Sequence, residues 1–277
     1  IGLDSRQIYD QIPIGTAQPT IREMDGVVHH LIGEKPIDEP ISAGQYAKLV
    51  RSCVKSIKFR EKIPIVCGGA GLYYRALNRG IFEQSKSELD IRKNLEDMYD
   101  NGNAQKMMNS LKKIDPKYSK HVHINNRKRL IRALEIYEIT GKAPSENFNN
   151  QKNKPRHNLN LFSIYLNWDR SILKERISKR TSNMIKKGWI DEVKNLIDKY
   201  PDFDFHSLDS IGYRQIVLYL DNRISFENLE LEINTKTYQY AVKQIKWFRK
   251  EKIDFIVDMN SNTTFRQTTK KILSAIV

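Results

Sequence analysis

The amino-acid sequence predicts an α/β fold, a parallel sheet flanked by helices and interrupted by a helical insertion of roughly 70 residues. Residues 63–77, IPIVCGGAGLYYRAL, pass from an apolar run through a glycine turn into helical spacing, the rhythm of parallel strands covered by helices. From about 87 to 156 the spacing is helical throughout, with turn-forming residues between segments and no strand signal. The expected division is a core of residues 1–86 and 157–277 with an insertion at 87–156.

Each element has its own reason. The chain opens IGLDSRQIYDQIPIGT, whose apolar start runs into Asp4. This reads as the carboxyl end of a strand, where α/β domains place their sites. Residues 42–60 read as an amphipathic helix: Ser42 is the N-cap, and Tyr46, Leu49, Val50, Cys53, Val54 and Ile57 form one stripe. Ile63, Ile65, Val66 and Cys67 are expected in a buried strand; Gly68, Gly69 and Gly71 punctuate it, and Leu72, Tyr73, Ala76 and Leu77 resume at helical spacing. In the insertion, SELDIRKNLEDMYDNGNAQKMMNSLKKID and NRKRLIRALEIYEITG are helical, whereas the polar, Asn-rich 145–158 is expected to be a loop or linker. Residues 159–168 are β-prone, and the long helical stretch after them breaks near Gly188. The tail beyond Asp258 shows little pattern.

With 277 residues, 39% of them hydrophobic, the chain can bury a substantial core. Lys and Arg number 47 against 33 Asp and Glu, a net charge of +14. Such an excess suits a polyanion, whose counterions are released on binding, and equally a solvated lysine-rich surface. Two cysteines are too few for a disulfide framework, and Cys67, inside an apolar run, is expected to be a buried free thiol in a reducing compartment. No apolar run approaches a membrane span and no signal peptide is visible, so the chain reads as soluble and cytoplasmic.

Four stretches could carry chemistry. GGAG after a strand presents backbone N–H groups at a helix start, which suits an anion or simply a tight turn. The insertion holds Lys117, Lys120, Arg127, Lys128, Arg129 and Arg132, with Arg129 and Arg132 on one helical face and Leu130, Leu134 and Tyr137 on another. That pattern fits phosphate contacts or a solvated surface helix. His121 and His123, and likewise His29 and His30, lack the companions a metal site needs, and no metal ligand is expected. Arg176 and Arg180, four apart, could grip a diphosphate or pair with Glu175 and Asp169. Residues 238–250 interleave Tyr238, Tyr240, Trp247 and Phe248 with Lys243, Lys246, Arg249 and Lys250, a pattern that serves either base stacking or core packing.

In order along the chain, these stretches resemble the tRNA dimethylallyltransferase (tRNA isopentenyltransferase) family. DSRQIYDQIPIGTAQPT (4–20) resembles its DSRQVY…DIGTAKPT block, GVVHHLI (26–32) its GVPHHLID, and SAGQY (42–46) its YSAxxF. PIVCGGAGLYYRAL resembles PIxVGGTGLYxxAL, and RLIRALEIYEITGKAPS (129–145) resembles RIxRALEVYxxTGKPxS. The stretch from Asp169 to Val193, IGYRQ (211–215) and TYQYAVKQIKWFR (237–249) complete the match.

The resemblance implies a P-loop-NTPase-like parallel-sheet core whose helical insertion grips the anticodon stem-loop of tRNA. It implies transfer of a dimethylallyl group from dimethylallyl diphosphate to N6 of adenosine 37, with Mg²⁺ on the diphosphate, by a monomeric enzyme. It makes Asp4 the general base and assigns the diphosphate to Arg176, Arg180, Gly69 and Ala70. The tRNA-facing residues it implies begin with Asp4, Ser5, Arg6, Gln7 and Ala70. In the insertion they are Arg92, Lys128, Arg129, Leu130, Ile131 and Arg132. Later in the chain they are Gly212, Tyr213, Arg214, Gln215, Thr237, Gln239, Lys243 and Gln244.

The sequence departs from the family pattern in four places. The loop Gly-Pro-Thr-x-Ser-Gly-Lys-Ser/Thr would stand roughly 20–30 residues before Asp4; the chain is accordingly expected to be N-terminally truncated and, as it stands, not to turn over. Ala70 replaces a usual Thr, removing a donor to the leaving oxygen whose loss costs on the order of a hundredfold in rate. Tyr238, Val242 and Lys243 replace Arg, Lys and Arg, and Lys128 replaces Gln. Two alternatives stay open at this level: a relative that prenylates free adenine nucleotides, and a non-catalytic tRNA-binding remnant.

Overall fold

The computed structural model describes residues 1–80, 89–152, 159–201 and 209–276. The expected boundaries at 86/87 and 156/157, and the linker residues 153–158, lie outside the described residues. The chain divides into two compact units, Ile1–Asn78 with Leu159–Val277 and Arg79–Asn158.

The first unit begins with helices α1 (Ile21–Met24), α2 (Ala43–Phe59) and α3 (Gly71–Asn78). The second unit contributes α4 (Leu89–Met98), α5 (Ala104–Ile114), α6 (Pro116–Ser119), α7 (Arg127–Thr140) and α8 (Pro144–Lys152). The chain then returns to the first unit with β1 (Ile164–Trp168), α9 (Arg170–Lys186), α10 (Trp189–Lys199) and α11 (Tyr213–Leu220). It ends with α12 (Phe226–Phe248), β2 (Phe255–Met259) and α13 (Phe265–Ile276).

In the first unit β1 and β2 pair in parallel, from Ile164 opposite Phe255 to Trp168 opposite Met259. Parallel partners need a crossover, and α9 to α12 fill it. A second parallel contact joins the chain start to the expected strand before the glycine turn: Cys67 N donates to Ile1 O (2.9 Å) and Leu3 N to Cys67 O (2.7 Å). This stretch forms a single bridge, Gly2 opposite Cys67, and not the buried strand read from sequence. Ile63 and Ile65 are 84% and 67% exposed, and Cys67 is exposed too, so the expected buried thiol is corrected. The segment gains one neighbour at its edge, and among the described residues no layer covers its outer face, so apolar composition alone overstated its burial.

Helix α2 starts where expected. The Ser42 hydroxyl accepts from Gln45 N (3.2 Å) while Gln45 Oε1 accepts from Ser42 N (2.9 Å), a reciprocal cap. Its buried face is Ala43, Tyr46, Ala47, Val50 and Val54, so the stripe is rotated away from Leu49, which stays on the rim. Gly188, at φ 96°, breaks the long helical stretch into α9 and α10, because that backbone region strains any side chain with a Cβ.

The second unit closes on Leu95, Met107, Met108, Leu111, Val122, Leu130, Ile131, Ala133 and Leu134. Its last helix corrects the expected loop, since residues 145–152 belong to α8. Contacts invisible in the polar composition hold it: Asn147, buried, donates to Thr140 Oγ1 (3.0 Å) and Lys142 O (3.1 Å). Ser145 N donates to Asp115 Oδ2 (2.7 Å), and the Phe148 ring packs on Tyr118 at 5.4 Å between centroids.

Candidate active site

Asp4 stands at the end of the Ile1–Leu3 segment, where Leu3 is buried and the carboxylate half-buried. Its Oδ1 accepts from Arg6 N (2.7 Å) and Gln7 N (3.2 Å), so a local turn aims the side chain without help from a distant partner. Beneath it Tyr46, fully buried, donates to Gly2 O at 2.8 Å. Gln7 turns its amide onto Thr16 O (3.0 Å) and Ala17 O (2.9 Å), tying the Asp4 turn to the 12–17 loop.

Two desolvated arginines lie within electrostatic reach of this carboxylate. Burial lowers the Arg6 pKa against the opposing pull of Tyr9, Tyr73, Asp4 and Tyr240, and its Nη2 donates to Asp209 O at 3.1 Å. Burial lowers the pKa of Arg180 on α9 as well, and the Asp4 charge opposes that shift. A desolvated guanidinium close to a carboxylate is poised for a more highly charged anion. Arg176, one turn earlier on α9, instead covers the end of β1, its Cζ 4.1 Å from the Trp168 ring centroid.

The glycine turn lies against the same segment. Ala70 N donates to Leu3 O (3.3 Å), and Gln244 Nε2 on α12 donates to Gly69 O (2.9 Å). The α3 start abuts Trp247, whose ring carries Arg75 at 4.2 Å, and Arg75 Nε donates to Glu251 at 3.1 Å. Phe248 packs on Tyr74 and Tyr165, with ring centroids 5.7 and 5.9 Å apart. Of the aromatic–basic stretch, Trp247 and Phe248 are thus packing residues, whereas Tyr240, Gln239 and Lys243 are exposed and Thr237 is half-buried.

The 209–215 turn is built by capping. Gly212 N donates to Gln215 Oε1 (2.8 Å), and both Gln215 and Tyr213 are buried. Burial raises the Tyr213 pKa, as does the Glu192 carboxylate that accepts its hydroxyl at 2.7 Å. Arg214 is exposed and pairs with Asp209. Glu192 also accepts from Ile14 N (2.7 Å) and Gly15 N (3.0 Å). It is the positioning residue that the sequence reading missed. The matched stretch from Asp169 to Val193 contains it, but assigns it no role; the other signal was that the Ile14 and Gly15 N–H groups need an acceptor.

In the second unit, Leu130 and Ile131 are fully buried. Lys128 and Arg129 are exposed, and Arg129 Nη1 donates to His121 O at 3.3 Å. Arg132 and Arg92 converge on the buried Glu135 carboxylate at 2.7 and 3.7 Å. Among the described residues no three His, Cys, Asp or Glu side chains gather as a metal site. No helix among them is long and apolar enough to cross a membrane.

A carboxylate, a desolvated arginine and a glycine turn at the edge of an α/β core are groups that suit chemistry on a phosphate ester. The family model for IPP transferases matches residues 7–251, and the chain belongs to this family. It is 37% identical over 252 residues to the tRNA dimethylallyltransferase of Acetivibrio thermocellus, covering 90% of this chain and 80% of that one. It superposes on the tRNA isopentenylpyrophosphate transferase of Bacillus halodurans with a TM-score of 0.69 at 34% identity, over 99% of this chain and 86% of that one. A eukaryotic dimethylallyltransferase described as acting on tRNA gives a TM-score of 0.82 at 27% identity, over 99% of this chain and 72% of that one. The fold is thus the P-loop-like α/β core with a parallel sheet that the sequence predicts.

Proposed function

We propose that this protein transfers a dimethylallyl group from dimethylallyl diphosphate to N6 of adenosine 37 in tRNA, next to the anticodon. The observation that carries the reading is Asp4, aimed by two backbone N–H groups at a segment end, with the desolvated Arg180 within its electrostatic reach. An adenine amine is a weak nucleophile because its lone pair is delocalised. Asp4 accepts an N6 proton as the carbon–nitrogen bond forms, which brings the attack within reach. Arg180 meets the charge that builds on the departing diphosphate, with the Gly69–Ala70 turn beside it and Arg176 stacked one helical turn away. The target base leaves the loop stack to reach Asp4. Ser5, Arg6, Gln7 and the 212–215 turn border the nucleotide, and Gln239, Thr237 and Lys243 offer α12 to the RNA.

The second unit supplies phosphate contacts through Lys128 and Arg129, with Arg92 and Arg132 held in place by Glu135. Leu130 and Ile131 serve it from the core, by fixing the helix that carries those cations. A Mg²⁺ would come to this site with the diphosphate, beside Arg180. Bound there, the ion neutralises charge on the leaving group. The protein acts as a monomer in the cytoplasm. The exposed cations of α7 favour a structured RNA over a free nucleotide, which would not use them.

The test is transfer by the purified full-length protein to an anticodon stem-loop with three adenosines, the middle one at position 37. The expected product is N6-dimethylallyl adenosine at that position, identified by mass spectrometry of digested RNA. Prenylation of free adenosine monophosphate with no product on the RNA would overturn the reading.

A further inference from the structure

We infer that Gln244 is a positioning residue for the glycine turn and not a contact to the RNA. The inference rests on the proposed function, because it concerns the turn that borders the diphosphate. Gln244 lies on the half-buried side of α12, whereas Gln239 and Lys243 are exposed. Its amide donates to Gly69 O at 2.9 Å. The approach is close: a Cβ at position 69 would stand 2.5 Å from Gln244 Nε2, so a side chain there would push the amide aside.

The peptide plane explains the consequence. A trans peptide directs its C=O and N–H to opposite sides. In the Gly69–Ala70 peptide the carbonyl is taken by Gln244 and the N–H by Leu3 O at 3.3 Å. One side of the plane is held by α12, and the other by the residue that precedes Asp4. The orientation of the turn is thereby locked to the position of Asp4. The first N–H groups of α3, which have no intrahelical partners, are presented in a single direction. Without Gln244, the plane is held from one side only and can rotate away from the anion.

The experiment uses the full-length protein and compares Gln244→Met, which keeps length and helix propensity but has no donor, with Gln244→Glu. Steady-state kinetics are run with dimethylallyl diphosphate and the anticodon stem-loop, and RNA binding is measured by fluorescence anisotropy. For Gln244→Met, kcat/KM for the diphosphate is expected to fall about tenfold, as for loss of a buried hydrogen bond, while the RNA Kd stays within about twofold. Gln244→Glu sets a carboxylate against a carbonyl and is expected to fall further, by about a hundredfold, again without weakening RNA binding more than its charge requires. A tenfold rise in RNA Kd with unchanged kinetics in the diphosphate would overturn the inference, and so would unchanged values of both. Wild-type protein that binds the RNA yet transfers nothing to it would count against the proposed function instead.

Discussion

The two units are held by polar contacts of different reach. In the first, Arg6 bonds Asp209 across 203 positions, Glu192 bonds Gly15 across 177, and Gln244 bonds Gly69 across 175. In the second, Tyr99 bonds Ile124 across 25 positions, Arg127 bonds Asp100 across 27, and Asp115 receives Ser145 across 30. Long-range contacts cost more chain entropy to close, so a site built from them exists only once the whole first unit has folded. The helical unit needs only its neighbours in sequence. The difference teaches where function is vulnerable: single changes in the first unit disturb chemistry, and those in the second disturb local stability or affinity.

The sharpest test of that contrast is Asp4→Ala. Removing the general base is expected to lower the transfer rate by about 10²- to 10⁴-fold, with RNA affinity nearly unchanged. Retention of more than about a tenth of the rate would remove Asp4 from the reaction. Glu192→Ala comes next, since it strips an acceptor from Ile14 N, Gly15 N and the buried Tyr213 hydroxyl at once. It is expected to cost on the order of 2–3 kcal/mol, read as a lower midpoint in urea, and to lower kcat as the Gln7-linked loop loosens. A midpoint unchanged from wild type would show that the clamp is dispensable.

The second unit should respond more mildly and locally. Asp115 is buried; burial acts to raise its pKa, but the N–H groups of Ser145, Tyr118 and Lys117 outweigh it, and the net shift is downward. A depressed carboxylate contributes stability that is complete above its unfolded pKa and lost as pH falls through the folded value. Thermal melts should therefore show an acid-dependent loss below about pH 4 that Asp115→Asn diminishes. A melt profile identical for the two proteins across that range would contradict the capping role. Smallest of all, Arg129→Ala is expected to weaken stem-loop binding severalfold and to lower the slope of log Kd against log salt by about one. An unchanged slope would mean that Arg129 meets no phosphate.

Helices α2, α3 and α7 were legible from apolar spacing over one or two turns, and α2 also from its Ser42 cap, which accepts an N–H group of the first turn. The break at Gly188 was legible for a similar reason, a local backbone requirement. Two expectations failed where the local signal conflicted with its surroundings. Polar 145–152 became a helix through Asn147 and Asp115, and apolar 63–67 stayed at an exposed edge. In the candidate site, the resemblance already set Arg180 on the leaving diphosphate with Arg176 as its helper or structural neighbour, but did not show that Arg176 covers Trp168.

By itself, then, the sequence determined the α/β class, the helical character of the insertion, and the family through motifs whose spacing is read along the chain. Only tertiary structure decided that Arg180 lies within electrostatic reach of Asp4 while Arg176 covers Trp168, that Glu192 joins the 14–15 turn to Tyr213, and that Gln244 holds Gly69. The physical reason is range. Helix caps and hydrophobic periodicity act over a few residues, whereas Glu192 with Gly15 and Gln244 with Gly69 join segments 177 and 175 positions apart, and Arg180 reaches Asp4 over a similar separation.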